Sequence, residues 1–144
     1  MKKLLLLFAF VFLATACSLD SDDGTKNDFT IQYLGVDSVD MPDFVTPGKS
    51  YSLKLYYHRP STCYYINNNF YTAVGESSLT VAIESVLIED ANCMAPSYNA
   101  AEFVTFNFEC PLSQIGETYT FKFFKGSDDY GKQQFMEVKV PVHL

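Results

Sequence analysis

The chain has 144 residues, of which 48% are hydrophobic and 16% aromatic, and it carries 17 acidic against 10 basic residues for a net charge of −7. This length is sufficient for a short targeting segment and one domain of common size. Binding to nucleic acid requires clustered Lys and Arg, so the acidic balance excludes DNA and RNA as partners.

The first 16 residues have the parts of a secretory signal peptide. Lys2 and Lys3 give a positive start, an apolar run extends from Leu4 to Ala14, and small residues precede Cys17. The run is shorter than the roughly 20 apolar residues that a membrane span needs. The letters LATAC, which end at Cys17, resemble the lipobox of bacterial lipoproteins. That resemblance implies cleavage after residue 16 and attachment of the chain to a membrane through lipid on Cys17.

Residues 17–28 follow as a polar, acidic segment, which we interpret as a flexible tether. Asp20, Asp22 and Asp23 lie close behind Cys17. An acidic cluster at this place resembles the export signal of surface lipoproteins in the Bacteroidota. It implies a lipid-anchored protein of the outer membrane that faces the cell surface. The alternatives are a solvated linker that is merely acidic and a domain that faces the periplasm.

Residues 29–144 have the alternating pattern of β-strands separated by turn residues, without a sustained helical period. We predict strands at Phe29–Asp37, Ser50–His58, Cys63–Tyr71, Leu79–Glu89, Glu102–Cys110, Thr118–Lys125 and Gln134–Val142, with a shorter one at about Val39–Val45. Seven or eight strands in one domain predict an all-β, antiparallel β-sandwich of immunoglobulin-like type. A small β-barrel is the alternative. Pro141 in the last strand indicates an edge strand or a strand end and not a central position.

Three cysteines remain once Cys17 carries lipid, so at most one disulfide can form within the chain. Cys110 has the same strand phase as Val104, Phe106 and Phe108, and it is therefore predicted to lie in the core as a small buried residue. This favours a bridge between Cys63 and Cys93, which closes a loop of about 30 residues and contributes roughly 3 kcal/mol on the chain-entropy estimate. Pairing of Cys93 with Cys110 is the alternative.

A family resemblance rests on four features of the mature chain. These are the letters RPSTCY at residues 59–64, the Asn92-Cys93 pair, the letters GETYTFKF at residues 116–123 and a Val-rich C-terminus. Together they resemble small lipoproteins of flavobacterial type in the Bacteroidota. The resemblance implies a lipid-anchored, immunoglobulin-like sandwich, and it offers no activity that could be carried over to this chain.

The densest unusual feature is a group of tyrosines on both sides of His58 and Arg59. A tyrosine combines apolar area with a polar tip, which is typical of surfaces that bind proteins or glycans. Strand alternation requires about half of these rings to cover the core, and the outward half is the predicted contact patch. The candidate residues are Tyr56, Tyr57, Tyr64, Tyr65 and Tyr71.

The sequence gives little support for catalysis. It contains no Gly-x-Ser-x-Gly elbow, no His-Glu-x-x-His and no phosphate-binding loop. Two histidines and isolated cysteines make a poor zinc signature, and Asp37, Asp40 and Asp43 lack the glycine and distal glutamate of a calcium loop. We therefore expect a non-catalytic binding or accessory module of the cell envelope, with no metal or cofactor and with a protein or glycan partner. A structural or assembly role is the first alternative, and a hydrolase with paired carboxylates is the second.

Overall fold

The computed structural model describes residues 29–89, 92–97, 100–114 and 117–144. The predicted signal peptide, the predicted lipidation site Cys17 and the three aspartates Asp20, Asp22 and Asp23 lie outside these ranges. The part of the chain that the structure describes contains no helix with the length and hydropathy of a membrane span.

Within the described ranges, eight strands form where aromatic and β-branched residues alternate with polar ones, a pattern that suits a pleated, half-buried surface. The predicted short strand is displaced from Val39–Val45 to Ser38–Asp40, because Pro42 cannot donate to a ladder. The strands are β1 Phe29–Leu34, β2 Ser38–Asp40, β3 Ser50–Tyr57, β4 Tyr64–Val74, β5 Ser78–Ile88, β6 Glu102–Glu109, β7 Thr118–Ser127 and β8 Gln133–Pro141.

The strands form two sheets that face each other. In the five-stranded sheet, β4 pairs with one edge of β5, while β1 and β7 lie end to end along its other edge and β8 pairs with β7. The three-stranded sheet has the order β2, β3, β6. The predicted all-β sandwich is confirmed, and the two sheets do not close into a barrel.

One strand pair differs from the antiparallel arrangement that the sequence predicts. Residues Ser78–Val81 of β5 pair in parallel with Thr120–Phe123 of β7. Parallel neighbours need a long crossover. Here the chain leaves β5, passes through the opposite sheet as β6 and returns as β7, so the crossover has the necessary length.

The core lies between the sheets and is built from the inward residues of both. Leu53 and Leu55 of β3 and Phe121 and Phe123 of β7 are fully enclosed. Cys110 is also fully buried, as its strand phase predicts. The predicted disulfide between Cys63 and Cys93 is present, with a Cα–Cα distance of 5.5 Å. It ties the segment after β5 to the start of β4.

Candidate functional site

The outer face of the five-stranded sheet carries a row of four aromatic rings, one from each of four strands. Tyr71 of β4 lies 5.8 Å from Tyr33 of β1, Tyr33 lies 6.4 Å from Phe124 of β7, and Phe124 lies 6.0 Å from Phe135 of β8, measured between ring centroids. We call these four residues the aromatic row. An outer sheet face that meets solvent normally carries polar side chains, so this row is unusual.

The row depends on the path of the chain at the end of β1, where the chain leaves β5 and approaches β7. Tyr33 is opposite Glu84 of β5, and three residues later the Val36 amide donates to the Phe124 carbonyl at 2.7 Å. Between them, Gly35 approaches the carbonyl of Lys125 so closely that a Cβ at this position would collide with it. The missing side chain at Gly35 therefore allows Tyr33 and Phe124 to become neighbours.

The row borders an open depression of about 440 Å³ in the sheet surface. Phe124 is only 8% exposed and lies deep, whereas Tyr33, Tyr71 and Phe135 are 42%, 49% and 38% exposed. The small side chains of Ala73, Thr80 and Ala82 also line the depression, together with Gln133. A concave, mainly apolar site with exposed aromatic edges has the composition of a contact surface.

The apolar surface continues beyond the row along β1 and β4. Phe29 and Ile31 are 64% and 55% exposed, and they alternate with Tyr33 on the same side of β1. Ile31 is opposite Val86 of β5, which is in turn opposite the exposed Tyr65 of β4. We call this larger surface the aromatic face; it consists of the aromatic row together with Phe29, Ile31, Tyr65 and Val86.

Charged residues border the aromatic face where β7 and β8 continue. Lys122 of β7 and Glu137 of β8 form an ion pair at 3.3 Å, and Lys139 projects from the same side of the sheet. Glu76, Lys122, Glu137 and Lys139 line a separate polar depression there. An apolar centre with a polar rim is the usual anatomy of a protein interface.

The structure divides the five tyrosines of the predicted patch among three environments. Tyr57 is buried and Tyr64 packs against the core, whereas Tyr65 and Tyr71 lie on the aromatic face. Tyr56 lies on the outer face of the other sheet, where its hydroxyl donates to Asp40 at 2.9 Å.

Sequence reasoning missed the other rings of the row, Tyr33, Phe124 and Phe135. Each has the outward phase in its own strand, which the sequence does reveal. Their proximity depends on β1 and β7 meeting along one edge of β5, and no local pattern specifies that pairing.

Tyr57 of β3 has a structural role, because its hydroxyl bonds to a residue of β6. Its hydroxyl donates to Glu102 Oε2 at 3.3 Å, and Arg59 Nε donates to Glu102 Oε1 at 2.7 Å. Burial, followed by the negative charge of Glu102, raises the pKa of Tyr57 to about 12. The phenol therefore stays neutral in the physiological range and is unsuited to proton transfer there.

In the described part of the chain, the side chains that are candidates for a metal-binding or catalytic role do not form one cluster. Asp37 pairs with His58 at 2.6 Å, whereas Asp40 accepts from Tyr56, so the acidic residues of this loop have different partners. Within the described ranges, no three His, Cys, Asp or Glu side chains are grouped to hold a metal ion. Burial raises the pKa of Cys110, which keeps this thiol protonated and unreactive.

Comparison with known proteins gives no further assignment. No protein-family model, no curated protein and no solved structure matches this chain.

Proposed function

We propose that this protein is a lipid-anchored, non-catalytic binding module of the bacterial cell envelope, and that the aromatic face is its contact surface. The single observation that carries the proposal is the row of four neighbouring rings on a sheet face that could otherwise be polar. Burying apolar area contributes about 25 cal/mol per Å², so a partner that covers these rings gains binding free energy without any rearrangement of the core.

The composition of residues 18–28 does not suit this segment to cover the aromatic face. Residues 18–28 read SLDSDDGTKND and include only one large apolar side chain, Leu19. The aromatic face begins at Phe29, 12 residues after Cys17, and an extended chain of that length reaches about 40 Å. The proposal therefore places the domain near an outer membrane, at the cell surface or in the periplasm, with its partner in a separate molecule.

The ring geometry favours a protein partner over a glycan. The planes of neighbouring rings in the row make angles of 60°, 75° and 67°. A sugar ring stacks best on an aromatic ring that presents its flat side, whereas these rings pack against one another at steep angles. Apolar side chains of a protein fit such a ridged surface. The charged rim also favours a protein partner.

The proposal is tested by following the native size of the full-length lipoprotein after gentle detergent extraction from its own envelope. Wild-type protein is expected to migrate as part of a larger assembly. A Tyr33→Ser, Tyr71→Ser double variant should migrate as the free chain, and Tyr56→Ser on the opposite sheet provides the matched control. If the double variant remains in an assembly of wild-type size, the aromatic face is not the contact surface.

Anchoring is tested separately. Cys17→Ser should abolish metabolic labelling with fatty acid, and normal labelling would contradict the anchor. Replacing Asp20, Asp22 and Asp23 by Ala should leave labelling intact and make the domain resistant to protease added to whole cells. Unchanged protease access would show that these aspartates are a linker and not an export signal.

An assembly role is the second candidate, and a different observation favours it. β6 is an edge strand, paired on one side only among the described residues. Open strand edges can join one chain to another through main-chain hydrogen bonds.

A further inference from the structure

The unpaired edge of β6 lies on the side of the sandwich away from β2. Among the described residues, β6 pairs with β3 along its whole length and with no other strand. The neighbouring edge strand of the facing sheet is β4, which contacts β6 across the gap. The three-stranded sheet therefore ends at β6.

The direction of the free main-chain groups follows from two hydrogen bonds. The Cys110 amide donates to the Lys49 carbonyl at 2.9 Å, and the Asp37 amide donates to the Tyr56 carbonyl at 2.8 Å. The first bond shows that the main-chain groups of Cys110 point toward the segment that leads into β3. The second shows that the main-chain carbonyl of Tyr56 points toward β2. Main-chain groups alternate in direction along a strand. The amides and carbonyls of Phe103, Thr105, Asn107 and Glu109 therefore point out of the sheet.

A groove lies along this edge. One cavity of about 560 Å³ is lined by five consecutive residues, Phe103 to Asn107, together with Asn68 and Phe70 of β4. Consecutive residues of one strand line the same cavity only when it lies against the edge of the strand. A second cavity of about 320 Å³ shares Asn68, Phe103 and Val104, so the groove continues toward Glu102. At its floor, the rings of Phe70 and Phe106 meet at 5.1 Å.

The edge of β6 lacks most of the features that normally prevent strand addition, and its charged residues, Glu102 and Glu109, lie at its two ends. Its letters are EFVTFNFE, with no Lys, no Pro and no register shift against β3. Of the long edge strands in the facing sheet, β4 has a register shift against β5 between Ile66 and Phe70, and β8 has Lys139, ends at Pro141 and has an irregular ladder to β7 at Gly126. Lysine, proline and bulges are the usual means of blocking an edge. β6 is therefore open where β8 is protected.

We propose that the edge of β6 accepts an extended segment of another protein, which adds as a fourth strand to the three-stranded sheet. The free amides and carbonyls recognise a peptide backbone, and this requires an extended chain. Alternate side chains of that segment point into the gap between the sheets and contact Phe70 and Phe106, so they are apolar. Glu109 is exposed at the end of β6 in a chain of net charge −7, so the segment is neutral or basic at its ends.

A second copy of this chain fits the groove poorly. If β6 paired with β6 of another copy, the inward side chains of the added strand would remain in the core of their own sandwich and would leave the groove floor uncovered. Two chains of net charge −7 would also be brought side by side. The acidic tether, residues 18–28, lacks the alternating apolar residues that the groove requires.

The test uses a synthetic peptide with the sequence Lys-Val-Thr-Val-Thr-Val-Thr-Lys, blocked at both ends, and the full-length lipoprotein in detergent. Two matched peptides carry N-methyl groups on the three valines or on the three threonines. A strand that adds by one edge uses only one of these sets. One methylated peptide should therefore bind about tenfold or more weaker than the parent, a loss of roughly 1.4 kcal/mol, while the other binds like the parent.

A pair of variants tests the β6 side of the same contact. Thr105→Pro removes an outward amide, which an edge strand tolerates, and Thr105→Val keeps that amide. The proline variant should bind the parent peptide about tenfold or more weaker than the valine variant, with the same far-ultraviolet circular dichroism. The Tyr33→Ser, Tyr71→Ser double variant should bind the peptide like wild type, which separates this site from the aromatic face.

Four results would overturn the inference. One is equal binding by all three peptides, and another is equal binding by the two Thr105 variants. The third is no binding of the parent peptide at about 1 mM, the limit of weak association. Dimerisation through β6, detected by sedimentation and abolished by Thr105→Pro, would identify a second copy as the occupant and would equally contradict the proposal.

Discussion

The two outer faces of the sandwich differ although the same strand alternation produces both. On the three-stranded sheet, outward polar side chains contact their neighbours: Ser52 donates to Asn107 at 2.8 Å, and Lys54 lies 5.3 Å above the ring of Phe103, a single exposed phenylalanine. On the five-stranded sheet, the corresponding positions carry the aromatic row, and three of its four rings, those of Tyr33, Tyr71 and Phe135, remain exposed. A face whose polar groups bond to one another needs no partner to cover it in water. A face of exposed rings gains free energy when another surface covers it.

The largest expected effect on the free energy of unfolding is the difference between a substitution on the inner face of the five-stranded sheet and one on its outer face. Phe121 is fully buried between the sheets, so Phe121→Ala should lower the free energy of unfolding by about 3–5 kcal/mol. Phe135 belongs to the aromatic row and is 38% exposed, so Phe135→Ala should cost about 1 kcal/mol. Chemical denaturation of both variants measures the difference. Equal losses would mean that the row is part of the core and not a contact surface.

The next largest expected effect on stability comes from the disulfide bond in the sheet that carries the aromatic face. The Cys63–Cys93 bridge joins segments that flank β4 and β5, so reduction should lower stability by about 2–4 kcal/mol. Hydrogen exchange should accelerate more in β4 than in β3. Cys110→Ala is the control, because this buried thiol is outside the bridge and the variant should respond to reductant like wild type. A stability unaffected by reductant would contradict this role of the disulfide.

Alkaline titration compares an inward and an outward tyrosine of one strand. An unfolded tyrosine has a pKa near 10, and Tyr57 is raised to about 12, first by burial and then by Glu102. Above about pH 10 the unfolded chain releases this proton while the folded chain keeps it, so stability falls as the pH rises from about 10 to 12. The loss attributable to Tyr57 is at most about 2 kcal/mol.

Tyr57→Phe should therefore make this alkaline loss of stability shallower, although the raised pKa values of Cys110 and Tyr119 leave part of it in place. Tyr56→Phe, on the exposed side of the same strand, should change the slope less. Urea unfolding at about pH 8 and about pH 11 measures both. An identical slope for Tyr57→Phe and wild type would show that this phenol does not titrate as its surroundings require.

Much of the fold is accessible from the sequence because strand alternation is a local property. The phase of Val104, Phe106 and Phe108 correctly assigns Cys110 to the core and leaves Cys63 and Cys93 to form the bridge. Apart from the short strand β2, the strand positions also follow from local pattern. The parallel pairing of β5 with β7 does not, because it depends on a crossover through the opposite sheet.

The candidate site is less accessible for the same reason. The density of tyrosines near His58 directs attention to one stretch of sequence, yet only Tyr65 and Tyr71 of that group reach the aromatic face. The row draws its members from four strands distributed between residues 33 and 135. Which outward rings meet is decided by strand order, and Gly35 contributes through a close approach that no hydrophobic pattern indicates.

Site-specific photo-crosslinking in whole cells tests the central claim most directly. A benzophenone amino acid replaces Tyr71 on the aromatic face or Tyr56 on the opposite face, in the full-length lipoprotein, and adducts are quantified after illumination. We predict a discrete protein adduct from position 71 at several times the yield from position 56, and its loss when Tyr33→Ser is added. A smear that disappears after enzymatic removal of polysaccharide would replace the protein partner by a glycan. Equal yields from the two faces, or no adduct from position 71, would contradict the account.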